Sequence, residues 1–261
     1  MARPRLVTTP LGEAFIIICQ NGKMNDLSLT AAASVVRSFG HVVDWVFDLD
    51  NTLYPRHCNL FAQIDLNMTR YVMELTALSF EDARVLQKAY YRDYGTTLNG
   101  LMTCHDIDPD HFLTTVHAID YSSVDPHPEL IAAIAALPGR KFIMTNGDLG
   151  HARAVLGRIG GDHLFEHVLD IRDMQFVPKP HRQAYDGFLA RHGIDPMRAA
   201  MFDDLEKNLL VPHEVGMVTV QVVAGEDFVH EQVDAWELGR ASGPHVHHVT
   251  EDLAEFLRTL P

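Results

Sequence analysis

The run from Val42 to Phe47 is rich in strand-forming residues, and it breaks off in Asp48-Leu49-Asp50. β-Branched and aromatic residues of this kind fit the interior of a sheet. Side chains at i and i+2 on a strand share a face, so Asp48 and Asp50 crowd one small volume as the chain leaves the strand. Two carboxylates held that close repel each other. A bound cation, or a division of acid and base roles between them, removes the penalty. The plain alternative is a strand followed by an Asp-Asn turn.

Short apolar runs recur at Val42–Phe47, Lys141–Thr145, His167–Leu169, Ala199–Phe202 and Val218–Val223, with helical stretches at Asp148–Ile159, Pro180–His192 and Leu205–Val215 between the later ones. Alternation of this kind predicts an α/β fold, a doubly wound parallel sheet with helices on both faces. The first interval breaks the rhythm. Between Tyr54 and Asp125 only helical periods occur, such as Leu60, Ile64, Met68, Tyr71, Val72 and Leu75. Ser79-Phe80-Glu81-Asp82 has the form of a helix start. The expected organisation is a core of residues 41–56 and 126–261, carrying an inserted all-helical cap over residues 57–125. A cap at the carboxyl end of a strand sits over the ligand site of such a sheet. The tail should end in a helix with Thr250 as its N-cap and Leu253, Phe256, Leu257 and Leu260 as its buried stripe.

Residues 1–40 carry no such pattern and are expected to form a poorly ordered extension, with Phe15-Ile16-Ile17-Ile18 as the stretch most able to add an edge strand. Of 261 residues, 21 are Lys or Arg against 35 Asp or Glu, a formal net charge of -14 without any basic block. A nucleic-acid partner is therefore not expected. The apolar run Ala14–Cys19 is too short to span a bilayer, and no membrane partner is expected. Cys19, Cys58 and Cys104 are far apart, which points to reduced thiols and a cytoplasmic location. The oligomeric state is left open.

Three further features stand where strands should end. Thr145-Asn146-Gly147 offers a hydroxyl, an amide and backbone N–H groups suited to a phosphate oxygen, or equally a capped turn. Lys179 lies between Pro178 and Pro180, on a stiff segment that cannot sit inside a helix. Asp203-Asp204 ends another apolar run, as metal ligands or as a helix cap. In a parallel sheet all of these converge on one rim. Clustered carboxylates suit a hard, oxygen-seeking ion such as Mg²⁺.

Asp48-Leu49-Asp50-Asn51-Thr52, Thr145-Asn146, Lys179 and Asp203-Asp204 together resemble the four motifs of the haloacid dehalogenase-like hydrolases, and the helical insert resembles their cap. Phe47 to Pro55, Tyr90 to Leu101, and Phe202-Asp203-Asp204 followed by Asn208 are similar to the pyrimidine 5′-nucleotidase subgroup. The resemblance implies a phosphatase in which Asp48 is the nucleophile and forms an aspartyl-phosphate. Asp50 protonates the leaving oxygen and later activates water. Thr145, Asn146 and Lys179 hold the phosphoryl group. Mg²⁺ is bound by Asp48, the Asp50 backbone carbonyl and Asp203, with Asp204 orienting or sharing that ligation, and which of Asp203 and Asp204 touches the metal directly is left open. The expected substrate is a small phosphorylated metabolite, a nucleoside monophosphate. A sugar-phosphate or phosphoglycolate phosphatase is the nearest alternative. A phospho-accepting receiver domain combines similar residues, but in another order and without the insert. A dehalogenase has no need of the acid two residues after the nucleophile.

Other features stay open on sequence alone. Tyr90, Tyr91 and Tyr94 suit stacking on a base or packing within the cap. His245, His247 and His248 suit a metal or a solvated strand edge. His57 and Cys58 suit substrate contact or linker packing, and His105, His111 and His117 show no ligand spacing.

Overall fold

The computed structural model describes residues 38–225 and 243–260, together with the backbone of two short strands nearer the N-terminus. These strands, β1 (Leu6–Thr8) and β2 (Ala14–Ile16), pair antiparallel in a two-stranded sheet of their own. They lie in a unit of their own, Met1–Val35. The apolar run thus contributes Phe15 and Ile16 to a local hairpin, while Ile17 and Ile18, like most of the expected extension, lie outside the described residues.

The second unit, Val36–Pro261, is built on six strands: β3 (Asp44–Phe47), β4 (Arg140–Met144), β5 (His167–Leu169), β6 (Ala199–Asp203), β7 (Val218–Val222) and β8 (His248–Thr250). Their order is β5-β4-β3-β6-β7-β8, and every neighbouring pair is parallel. A parallel sheet is covered on both faces, and its inner strands read as continuous apolar runs. Successive residues of β3 accordingly enter opposite layers. Trp45 and Phe47 pack with Phe202, Leu253 and Leu257 on one face, while Val46 packs with Phe142, Met201, Tyr185 and Phe188 on the other. Phe47 and Phe202 stack with ring centroids 4.7 Å apart.

Between β3 and the rest of the core lie four helices, α1 (Leu60–Thr76), α2 (Phe80–Tyr94), α3 (Thr97–His105) and α4 (Pro109–Val116). Ser79 caps α2 by accepting the Asp82 amide, as its sequence predicts, and Thr96 caps α3 by accepting the Asn99 amide. At Gly100 any Cβ would collide with the Tyr90 ring, so only glycine lets α3 lie this close to α2.

The core helices are α5 (Pro128–Ala136), α6 (Leu149–Ile159), α7 (Arg182–His192), α8 (Leu210–Val215) and α9 (Leu253–Arg258). Two differ from expectation. The stretch predicted as one helix from Leu205 is a short 3-10 turn, Glu206–Leu209, followed by α8. Asp203 accepts from the Leu205 amide and from the Asn208 side chain, and these bonds hold the chain in the tighter turn. The last helix is capped by Asp252, which accepts the Glu255 amide, and not by Thr250, which ends β8 and holds the Asp252 amide instead. Its predicted stripe is correct: Leu253 and Leu257 are buried, and Phe256 and Leu260 pack against the same layer. No helix among the described residues is long and apolar enough to cross a membrane.

Candidate active site

β3, β4 and β6 are adjacent, and their carboxyl ends deliver Asp48, Thr145 and Asp203 to one rim. The ladder continues one step past β3, where the Asp48 amide donates to the Phe202 carbonyl at 2.8 Å. The chain then turns sharply, with the Leu53 amide bonding back to the Leu49 carbonyl at 3.0 Å. Asn51 takes a left-handed conformation at φ 57°, which asparagine tolerates better than most residues.

Lys179 is the hub of the rim. Its side chain is 1% exposed, and its ammonium donates to Asp48 Oδ1 at 2.7 Å and Asp203 Oδ2 at 2.6 Å. The two carboxylates hold Lys179 charged, more than offsetting the burial that would lower its pKa. The Asn146 side chain brackets the Lys179 backbone: its amide group donates to the Lys179 carbonyl, and its oxygen accepts the Lys179 N–H at 2.8 Å. Asn146 thus anchors the lysine segment, while the Thr145 hydroxyl accepts the Gly147 amide at 2.9 Å and keeps its own proton to donate.

Oxygens of Asp48, Asp203 and Asp204 lie within 4.8 Å of one another, all three residues buried. Arg56 donates to Asp204 Oδ2 at 2.6 Å. Burial, and then the Asp203 and Asp50 charges, push Asp48 up to about 7 against the pull of Lys179. Burial and the Asp48 charge raise Asp204 strongly despite Arg56. A site that makes its own carboxylates hard to ionise has a deficit of positive charge, and three hard oxygen donors fit Mg²⁺ better than any softer ion.

Asp50 faces another way. Its Oδ1 accepts from Tyr54 at 2.5 Å and from His151 Nε2 at 2.7 Å. Burial opposes its charge, but His151 and then Tyr54 overcome this and bring its pKa to about 2. The side chain of Asp50 remains 21% exposed.

Above the rim is a cavity of about 160 Å³. Asp48, Asp50, Thr145, Asn146, Lys179 and Asp204 line its floor. Phe61, Ile64, Met68, Leu98, Phe112 and Leu113 of the cap form an apolar wall, and Asp65, Gln87 and Lys88 a polar end. All the residues predicted for the site except Asp203 face this cavity; Asp203 sits behind Lys179.

The three cap tyrosines part company. Tyr90 is buried and bonds His105 at 2.6 Å, Tyr94 contacts Cys104, and only Tyr91 reaches the cavity, where Lys207 lies 4.4 Å from its ring centroid. His57 is exposed and Cys58 is buried in the core. His245 faces Glu206, His247 bonds Thr219, and His248 lies against Phe39, so the tail histidines do not converge on a metal. His151 and Arg56 were not readable as site residues. His151 sits in the first turn of α6, three residues after the cap Asp148, where helix periodicity alone reads it as a packing position.

A family model for haloacid dehalogenase-like hydrolases matches residues 46–216. The chain belongs to this family. Phosphate metabolism protein 8 of Saccharomyces cerevisiae is 24% identical over 201 residues, a match covering 71% of this chain. The match spans only 62% of the yeast protein's length. Among solved structures, a phosphatase of the family from Thermococcus onnurineus superposes with a TM-score of 0.53 at 17% identity, covering 83% of this chain and 97% of its own. The magnesium-bound family hydrolase YfnB of Bacillus subtilis gives a TM-score of 0.51 at 13% identity, covering 84% and 98%. Haloacid dehalogenases superpose as well. At such identities the likeness speaks for the fold, and the family match places this chain among the hydrolases.

Proposed function

We propose that this hydrolase is a Mg²⁺-dependent phosphomonoesterase acting through an aspartyl-phosphate on Asp48, with a pyrimidine nucleoside monophosphate as its substrate. One observation carries the phosphatase reading. Asp50 is held beside the nucleophile by two donors, with part of its carboxylate open to the cavity. Displacing a halide needs no such group, whereas a phosphoester's leaving oxygen must be protonated and water must later be activated.

In the reaction, an Asp48 oxygen forms a bond to phosphorus as the ester P–O bond breaks. Asp50 gives the departing oxygen a proton. It then takes one from the water that attacks phosphorus, and phosphate leaves with Asp48 regenerated. Since Asp50 is ionised in the free site, the first proton has to reach it from its partners or from the substrate monoanion. Lys179 and the Thr145 hydroxyl neutralise and hold the phosphoryl oxygens. Mg²⁺, held by Asp48, Asp203, Asp204 and the Asp50 carbonyl, would supply the positive charge that lets a carboxylate approach a phosphate. The nucleoside reading rests on the subgroup motifs and on an apolar cap wall suited to a flat, weakly polar group.

The test is a screen of nucleoside monophosphates and sugar phosphates with and without Mg²⁺, together with Asp48→Asn. Pyrimidine nucleotides should be hydrolysed best, and the variant should lose at least about a thousandfold in rate, as happens when other nucleophiles are removed. A variant within tenfold of the parent would end the covalent mechanism. A preference for sugar phosphates would move the substrate class while leaving the chemistry in place.

A further inference from the structure

Behind Asp50 lies a chain of side chains that joins it to the cap. His151 is completely buried, with 0% of its side chain exposed. Its Nε2 holds Asp50 Oδ1, and its Nδ1 lies 3.0 Å from the Tyr121 hydroxyl, which in turn reaches the His117 carbonyl at 3.1 Å. His117 stacks flat on the His151 ring, with centroids 4.7 Å apart and planes 13° from parallel. The far nitrogen of His117 is 3.4 Å from Asp148, whose carboxylate also accepts the His151 amide at 2.7 Å.

The elements involved give this chain its meaning. His151 and Asp148 belong to the core, at the start of α6. His117 ends the last cap helix, and Tyr121 lies on the strap from cap to core. A buried imidazole gripped on both nitrogens and covered on one face has a single orientation. Its grip on Asp50 is made at Oδ1, the oxygen that Tyr54 also holds. This turns Oδ2 toward the phosphate loop, where a methyl group on Gly147 would meet it at 3.7 Å.

We infer that His151 is a positioning residue that presents Asp50 Oδ2 to the leaving oxygen, and that His117 and Tyr121 make this presentation depend on the cap being seated. With the cap in place, His117 roofs His151 and Tyr121 holds its second nitrogen. With the cap displaced, both contacts are lost, the His151 ring is free to turn, and Tyr54 is the one donor to the carboxylate whose hold does not depend on the cap. Proton transfer is thereby reserved for the state in which the substrate is enclosed. The kinetic consequence rests on the phosphatase reading; the geometric one does not.

The experiment compares kcat/KM, which reports phosphoryl transfer to Asp48, for p-nitrophenyl phosphate and for a nucleoside monophosphate. The first leaving group departs without a proton and the second needs one. His151→Ala should lower the nucleotide value by roughly a hundredfold, the usual scale of general acid catalysis, and the p-nitrophenyl value by less than about tenfold. His151→Gln, which restores an N–H toward Asp50, should recover most of the loss. His117→Ala should shift the same ratio in the same direction, by several-fold. Equal losses on both substrates, or a Gln variant no better than Ala, would overturn the inference. A crystal structure of His151→Gln and of His117→Ala adds a readout free of activity. In the Gln variant Asp50 should keep its rotamer, and in His117→Ala the His151 ring should turn or disorder. An unmoved His151 ring would overturn the link to the cap, even in a protein for which no phosphoester substrate had been found.

Discussion

The floor and the roof of the cavity are built by opposite means. On the floor, Asp48, Asp203, Asp204, Lys179 and Arg56 are all buried or nearly so, and each charge is held by an opposite one. The roof is apolar along Phe61, Ile64, Met68, Phe112 and Leu113, and a partly exposed charge cluster around Asp65 forms its polar end. There Asp65 is bound by Arg84 at 2.8 Å, Lys88 at 3.1 Å and Gln87 at 2.6 Å. Charges compensate one another in both places, but those of the floor lie around Asp48. Under the proposed function the difference separates a reaction from a choice of substrate: the charges that would act on phosphate are locked to the sheet, and the surface that would read the rest of the molecule is carried on helices.

The sharpest way to break this contrast is to remove the hub. Lys179→Met should abolish phosphatase activity and leave Asp48 and Asp203 facing each other without a cation. Stripping one partner from a buried ion cluster costs about 3–5 kcal/mol, visible in a chemical denaturation curve. A variant as stable as the parent would mean that the floor is not held by this lysine. Supplying charge should have the reverse effect. Mg²⁺ at a hundred times its dissociation constant should stabilise the fold by about 2.7 kcal/mol. In a domain of this size that is roughly 5–10 °C in Tm, and Asp204→Asn should reduce it. No shift in differential scanning calorimetry would show that the three acids do not form a cation site.

The roof should respond differently. Phe61→Ala should reduce kcat/KM for the preferred nucleotide by about 10- to 100-fold, the scale of a lost apolar contact in a pocket, while p-nitrophenyl phosphate changes little. Equal losses on both would mean that the roof also takes part in the chemistry. The smallest effect lies at the junction. Burial opposes ionisation of Asp148, but His117, the His151 amide and Arg172 hold its pKa down at about 2 against an ordinary 3.8. Its contribution is therefore fully present above pH 4 and is lost as the pH falls toward 2, amounting to about 2 kcal/mol at most. Asp148→Asn, which can still cap α6, should flatten that part of the acid-unfolding curve. An unchanged curve would remove Asp148 from the junction's electrostatics.

The acids of the floor and Thr145 are legible because they stand at the ends of apolar runs, and a parallel sheet must bring such ends together; Lys179 shows only through its flanking prolines, and Arg56 gives no signal. Asp48, Thr145 and Asp203 needed only strand periodicity and the parallel rule. Asn146, expected as a phosphate contact, lines the floor, and its side chain also anchors the Lys179 backbone, a bond the sequence does not show. Tyr90 and Tyr91 show the limit on the roof. They are consecutive, so helix geometry turns them about 100° apart, one into the cap and one toward Lys207. Nothing in the local sequence says which is which. His151 was hidden for another reason: its partners Asp50, His117 and Tyr121 come from three other segments, and only the folded chain assembles them.

The position of β3 in the middle of the sheet has one more consequence. The acids of the floor and Thr145 hang from β4, β3 and β6, which are neighbours, while β5 and β8 form the outer edges. Sheets fray from their margins, where each strand has a partner on one side only. Of the two margins, β8 carries none of these groups, whereas β5 leads into the segment that bears Lys179. Hydrogen exchange at His248–Thr250 can thus run ahead of that at Asp44–Phe47 without disturbing the site, whereas opening of His167–Leu169 would loosen both the Thr145 amide, which bonds Leu169, and the segment that holds Lys179.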